Sequence, residues 1–463
     1  MSNICYYALS GINYKNEFST VCPINSERLV YFDETILPSE IYKHENLNRI
    51  RRELYNGNWP EGCHLCEELE LNKTHSMRND RPFDGKKFSH ELKSSCFDHF
   101  DIKTGKMSPL GCRHIELRFS NSCNMSCLHC SSVYSTGWGK ILENYIPDEE
   151  TKKYELLQLT NEYHNTDDRR KSKLKLTNKE VESICNDLNK NFPNIDRIEF
   201  SGGEVLIQKQ FFLALEILAK HPNKDNIFLS FYSNFNVEVD YTRLTELLRP
   251  FKYSIITVSV DGGKNIYSYF RNGNWEKLKN NIINFRKINN FTELSCVNTF
   301  SAYQFMDLQN TFESLFELDF RYIKISLVQT PEYLNPSILA FDFHDELLSD
   351  FNDVFKIIDA ENKKRKNDMK NSMKLNSSIN SRFSNFFRNE NKNQDRVIFS
   401  DLESAKHQLN SVKNYIFNKK VTSYKNYNRF LIYIKKTDEL MNKDFNKHFD
   451  KFRYIDGELM RKR

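Results

Sequence analysis

The 463-residue sequence has no apolar run long enough to cross a bilayer, and its amino terminus, MSNICYYALSG, has no charged segment followed by an apolar one. These absences argue against a membrane protein and against secretion, and set the expectation of a cytoplasmic chain. A strong charge bias is missing too. The formal net charge is +5, with Lys, Asn and Asp mixed along the whole length, which gives no nucleic-acid signature. Without a secretion signal, a disulfide framework is not the expected use of the eleven cysteines, and a reducing compartment keeps thiols available for metal. The chain exceeds one usual domain, so a core of roughly 220 residues with flanking modules fits its size.

What is present begins with Cys123, Cys127 and Cys130 in SNSCNMSCLHCSS, spaced CxxxCxxC. Three thiolates leave one iron of a 4Fe-4S cluster open to a non-protein ligand, whereas an electron carrier closes its cluster with four. By itself the motif also admits zinc, with His129 completing a Cys3His site, or plain core cysteines.

The segment 113–120 alternates Ile115, Leu117 and Phe119 with polar residues, a strand pattern that puts the cysteines on the following loop. A second strand at 196–201 runs into Gly202-Gly203-Glu204 and then an apolar helix at 206–220. Between them, 177–192 places Val181, Ile184, Cys185, Leu188 and Phe192 on one helical face. Strands at 227–232, 253–260, 292–299 and 320–328 alternate with helices at 241–248, 275–288 and 302–317. Six strands separated by helices imply a parallel sheet with right-handed crossovers. Active sites in such sheets lie beyond the carboxyl ends of the strands. The cysteines follow strand one, Gly-Gly-Glu strand two and Ser233-Asn234 strand three, while Ser259 and Asp261 close strand four, so all fall on one edge. The glycines let the backbone approach a ligand, and Glu204 suits an ammonium group. The alternative is a strand-to-helix turn with a solvated Glu.

CNMSCLHC followed by SGGE resembles the radical S-adenosylmethionine (SAM) enzymes, most specifically over residues 113–271. The resemblance implies an α/β fold, a partial (β/α)6 barrel with an N-terminal cysteine-containing accessory segment and a C-terminal helical region. Its divisions would be 1–110, an accessory segment; 111–330, the core; 331–395, a helix and polar linker; and 396–463, a helical end. It implies that Cys123, Cys127 and Cys130 bind three irons of a 4Fe-4S cluster, with the amino and carboxylate groups of SAM on the fourth. Reductive cleavage would give methionine and a 5'-deoxyadenosyl radical that abstracts hydrogen from a substrate. Gly202, Gly203 and Glu204 would hold the methionine end of SAM.

ITVSVDG followed by YSYFRNG resembles members that act on peptides. There Ser259 would contact the ribose or carboxylate, and Arg271 would pair with the methionine carboxylate; the alternative for Arg271 is a surface helix arginine. Ser233 and Asn234 would lie near the ribose or simply make a turn. His129 stands where the family carries an aromatic whose backbone approaches the adenine. Val297 and Leu327 would wall the adenine or serve as core.

Cys5, Cys22, Cys63 and Cys66, the last two in GCHLCE, resemble the amino-terminal segment of twitch-type, SPASM-like members, which implies an auxiliary iron-sulfur cluster. Cys5 and Cys22, separated by sixteen residues, fit that pattern less closely. Zinc at Cys63 and Cys66 with His64 or His75, or no metal, are the alternatives. Cys96, Cys112, Cys185 and Cys296 are expected as core thiols, with Cys112 a spare ligand. The basic stretch 361–374, six Lys or Arg against two acidic residues, is expected to open a polar linker reaching about residue 395. Beyond it, 397–463 reads as helical, with Leu402, Leu409, Val412 and Ile416 on one face. By analogy with relatives the substrate would be a peptide or protein, with an external electron donor such as flavodoxin or ferredoxin. Modification of a nucleoside or carbohydrate is an alternative, as is a non-catalytic zinc or iron-sulfur protein serving interaction or electron transfer. No catalytic acid or base is named.

Overall fold

The computed structural model describes residues 5–15, 18–23, 25, 27–31, 36–71, 76, 78, 97–156, 158–159, 175–320, 322–340, 342–375, 401–418 and 424–462. Its main feature is a nine-stranded sheet. In chain order the strands are β1 (Gly11–Tyr14), β2 (Phe18–Thr20), β3 (Val30–Tyr31), β4 (His114–Leu117), β5 (Arg197–Phe200), β6 (Phe228–Ser233), β7 (Tyr253–Ser259), β8 (Thr292–Phe300) and β9 (Tyr322–Leu327). They are ordered β3-β2-β1-β4-β5-β6-β7-β8-β9. From β1 through β4 to β9 every pairing is parallel, and β2 and β3 add an antiparallel edge. The six expected strands are β4 to β9.

Helices between strands follow local rules. Thr177 and Glu180 form a capping box that starts Asn178–Asn191, and Asn274 caps Trp275–Ile288 through the Lys277 amide. One side of each strand is apolar and covered by helices. Phe211, on helix Lys209–Leu218, packs its ring at 5.1 Å from Phe200 of β5 and 4.9 Å from Phe231 of β6. Fully burying such a ring is worth roughly 1.5–3 kcal/mol. The opposite side carries His114, Glu116, Glu199 and Ser230, all buried. Glu199 of β5 senses the charge of Lys324 on β9, four strands away in the sheet order, so the sheet curls into a partial barrel with this polar side inward.

The N-terminal segment also joins the core sheet, because β1 pairs in register with β4 and adds a seventh parallel strand. Several expectations need correction. The single helix expected at 302–317 is two, Ala302–Phe305 and Leu308–Glu317. The stretch 361–374 is not linker but part of helix His344–Leu375, whose earlier residues Phe351, Val354 and Ile358 are buried and anchor it. Residues 376–400 lie outside the described residues. The C-terminal region has helices Asp401–Asn418 and Tyr424–Met441 but ends in a β-hairpin, Phe452–Ile455 with Glu458–Arg461, where Asp456 and Gly457 take the positive φ that a tight turn needs.

Candidate active site

The loop after β4 carries the three cysteines and is tied down from all sides. Thr136 Oγ1 accepts from the Cys123 amide and donates to the Cys123 carbonyl, both at 3.0 Å. The Trp138 indole donates to the Cys127 carbonyl at 2.8 Å, and Gln158 to the Cys130 carbonyl at 3.2 Å. The Leu128 amide donates to Phe270 at 2.8 Å, while Tyr433, from the far end of the chain, donates its hydroxyl to the Leu128 carbonyl at 2.6 Å. Burial pushes all three thiols up, Cys127 to about 12. Bare thiolates are therefore disfavoured here, and bound metal cations would reverse that.

The turn after β5 meets this loop. The Glu204 amide donates to the Ser122 carbonyl at 2.8 Å. Gly202 and Gly203 have φ of +89° and +52°, and a Cβ on Gly203 would lie 2.2 Å from the Ser122 carbonyl oxygen, so the chain passes too closely for a side chain.

Glu204 is fully buried rather than solvated. Its carboxylate accepts from the Leu206 amide at 3.0 Å, the Ser233 hydroxyl at 2.8 Å and the Asn234 amide at 2.5 Å. A carboxylate has about four acceptor sites, so most of its capacity joins the loops after β5 and β6. Burial raises its pKa, against which these donors work. The Asn234 side chain donates to Asn124 at 2.8 Å and lies 4.0 Å from Cys123 Sγ, which connects the third loop to the cysteines.

Arg271 is not a surface arginine. It is 5% exposed at the end of helix Lys264–Arg271 and forms an ion pair with Asp261, itself fully buried. Asp261 also accepts from the Thr299 amide at 2.6 Å and lies 3.8 Å from His129 Nε2. Burial opposes the Arg271 charge, but Cys127 and Asp261 more than offset it. The Cys127 thiol donates to the Arg271 carbonyl at 3.7 Å. The Arg271 Nε is buried without a partner, a donor left over for an anionic ligand group. His129 stacks on Phe270, centroids 5.2 Å apart.

Ser259 is half-buried at the end of β7, with Val297 buried and Leu327 half-buried on the strands beyond it. Thus the structure brings the cysteines, Gly202 to Glu204, Ser233, Asn234 and Arg271 to one sheet edge, as the strand-end reasoning expects. Asp261, placed on this edge from the sequence but given no role there, proves to be the partner of Arg271. Two participants were missed, Tyr433 and Lys443, for which the sequence carried no signal. Lys443 is drawn down to about 8 by burial, opposed by the nearby Cys127 and Asp438, and donates to the Tyr269 carbonyl.

The N-terminal cysteines also meet. Cys5, Cys22, Cys63 and Cys66 line one cavity with Trp59 and Arg78. Cys5 precedes helix Tyr6–Ser10, Cys22 follows β2, and the other two flank the start of helix His64–Leu71. Asn25 donates to Cys63 Sγ at 3.5 Å. Gly62 leaves room for this, since a Cβ there would lie 2.6 Å from the Asn25 amide nitrogen. Burial raises Cys5 to about 11 and, helped by its thiol neighbours, Cys63 to about 12. His64 turns back to the Glu61 carbonyl at 3.2 Å. His75 and Cys96 lie outside the described residues. Cys112, Cys185 and Cys296 are fully buried. Among the described residues, no three His, Cys, Asp or Glu side chains converge on a point that could hold one metal ion.

A thiol-rich loop and a glycine turn above a partial parallel barrel make this the site of an enzyme. Residues 117–300 match the family model of the Radical SAM superfamily. No curated protein sequence matches the chain. Among solved structures it is similar to anSMEcpe with bound AdoMet, at 18% identity and a TM-score of 0.34 over 51% of this chain and 62% of that one. It is similar also to Streptococcus suis SuiB bound to precursor peptide SuiA, at 11% identity and 0.34 over 71% and 65%, and to TYW1 with a lysine-pyruvate adduct bound, at 16% and 0.27 over 59% and 82%. The chain spans about three fifths of the first of these. None of the described helices is long and apolar enough to cross a membrane.

Proposed function

We propose that this protein reductively cleaves SAM and uses the resulting radical to abstract hydrogen from a peptide or protein side chain. The observation that supports it most is the joining of three loops within the radical SAM match. Glu204 binds the Asn234 amide, Asn234 binds Asn124, and the Glu204 amide binds Ser122 beside Cys123. Cys123, Cys127 and Cys130 would hold a 4Fe-4S cluster, which when bound supplies the electron that splits SAM. The thiols fit such a cluster, in which each sulfur takes a different iron, so they need not converge on a single point. Arg271 Nε would meet the SAM carboxylate, with Asp261 holding the guanidinium in place; Gly202 and Gly203 would give the ligand room, and Ser259 would contact it from β7. Trp138, Gln158 and Tyr433 keep the cluster loop fixed. Peptide specificity rests on the resemblance of SVDG and Arg271 to peptide-modifying members.

Cys5, Cys22, Cys63 and Cys66 would hold an auxiliary iron-sulfur site, supported by the cavity they share. An external flavodoxin- or ferredoxin-type donor would deliver the electron.

Anaerobic reconstitution with iron and sulfide, followed by dithionite and SAM, tests the reading. A brown protein that forms 5'-deoxyadenosine and methionine is expected. A colourless protein with stoichiometric zinc and no SAM cleavage would overturn it.

A further inference from the structure

The inward face of the barrel carries a polar row that the site above does not use. Asn13 of β1, Glu116 of β4, Glu199 of β5 and Ser230 of β6 stand side by side in register on neighbouring parallel strands. They are 2%, 4%, 8% and 2% exposed. Glu116 accepts from the Asn13 side-chain amide and, at 2.6 Å, from the Ser201 hydroxyl. Asn13 Oδ1 and Ser230 Oγ are buried without partners. The row thus leaves an amide oxygen and a hydroxyl oxygen unsatisfied beside two buried carboxyls.

What satisfies such a set is a group that only donates. An ammonium brings three donors and a guanidinium five, neither with an acceptor to misplace. Water could fill the same space with Glu199 protonated, which relieves the repulsion between the two adjacent carboxyls; a cation does so while leaving both carboxyls ionised and paired. Burial and the Glu116 charge push Glu199 well above the usual carboxylate range, with Lys324 pulling the other way. Other charged groups border the row: Arg197 lies two residues before Glu199 on the same side of β5, Lys15 senses the charge of Glu116, and Lys324 senses that of Glu199. Lys15 and Arg118 follow β1 and β4 at the strand ends, and Lys324 is exposed on β9. Glu199 lies three residues before Gly202, roughly 10 Å below the turn at 3.3 Å per residue. That depth suits the charged tip of a side chain entering from the loop edge.

We propose that Asn13, Glu116, Glu199 and Ser230 form a subsite in the barrel interior that takes the ammonium or guanidinium group of a substrate side chain. The substrate would then be an amine- or guanidine-bearing peptide, a conclusion that rests on the peptide-modifying reading above.

The test uses the reconstituted protein with SAM and four probes of one shape: butylamine, butylguanidine, butanol and butyrate. The two cations should raise the melting temperature saturably, and the alcohol and the anion should not. Glu199→Gln should abolish that shift. Should that variant fail to fold, Ser230→Ala should reduce the shift at least twofold. No shift with the wild-type protein, an equal shift in the variants, or an equal effect of butanol overturns the subsite and assigns the row to water. The same preparation is assayed for 5'-deoxyadenosine. SAM cleavage without a cation effect overturns the subsite alone, and a cation effect without SAM cleavage overturns the radical reading alone.

Discussion

Replacing Glu204 by alanine should do more than weaken ligand binding. The side chain is fully buried and accepts from two backbone amides and one hydroxyl, on the loops after β5 and β6. Alanine leaves all three donors without an acceptor where water has little access. A hydrogen bond to a charged group is worth about 1.5–3 kcal/mol. Relief of the carboxylate's own burial cost, visible in its raised pKa, cancels part of the loss. The net expectation is a destabilisation of at least about 3 kcal/mol. Glu204→Gln should cost less, about 1–3 kcal/mol, because one amide oxygen still serves Leu206 and Ser233 while the NH2 group opposes the Asn234 amide. Urea denaturation of the metal-free proteins, followed by circular dichroism, reads the stability, and calorimetric titration of the reconstituted proteins reads SAM affinity. The order wild type, Gln, Ala should hold in both. An alanine variant that unfolds with the wild type yet loses SAM would show that Glu204 is a ligand contact and not a link between loops.

Lys443→Met removes a cation whose field reaches Cys127, so the cluster should become harder to reduce. A redox titration followed by electron paramagnetic resonance should give a more negative potential, and an unchanged or more positive one contradicts the placement. Tyr433→Phe deletes only the hydroxyl bonded to Leu128. It should cost about 1 kcal/mol of stability and speed loss of cluster iron to a chelator; equal iron release would remove this tether from the account. The pH dependence of Glu199 has a definite sign. Its folded pKa lies well above 4.5, so the folded state keeps a proton that the unfolded chain loses. Its contribution to stability is therefore full below pH 4.5 and declines as pH rises towards the folded value. The wild-type minus Glu199→Gln difference in unfolding free energy should fall across that window, and a flat or rising difference would mean Glu199 is not held in its buried setting.

The linear sequence by itself determined the chemistry of the edge. Alternation in period two against period 3.6 marks β4 to β9 and most of the intervening helices, and parallel connections send every strand end the same way. Cys123, Cys127, Cys130 and Gly202 to Glu204 could therefore be placed together because each lies within a few residues of its own strand. Tertiary structure decided what no local pattern carries. In sequence Glu204 reads as a partner for an ammonium group or as a solvated turn residue, and only the approach of β6 makes it a buried link. In sequence Arg271 reads either as a partner of the SAM carboxylate or as a surface helix residue, and only the fold pairs it with Asp261, just beyond β7. The first thirty residues show no strong period, yet β1 pairs with β4 because the sheet offers a free edge there. Tyr433 and Lys443 reach the cysteine loop from three hundred residues away, and the row from Asn13 to Ser230 exists only through strand register. Local spacing is written by the covalent chain, whereas partners distant in sequence are chosen by packing, burial and charge once the sheet has curled.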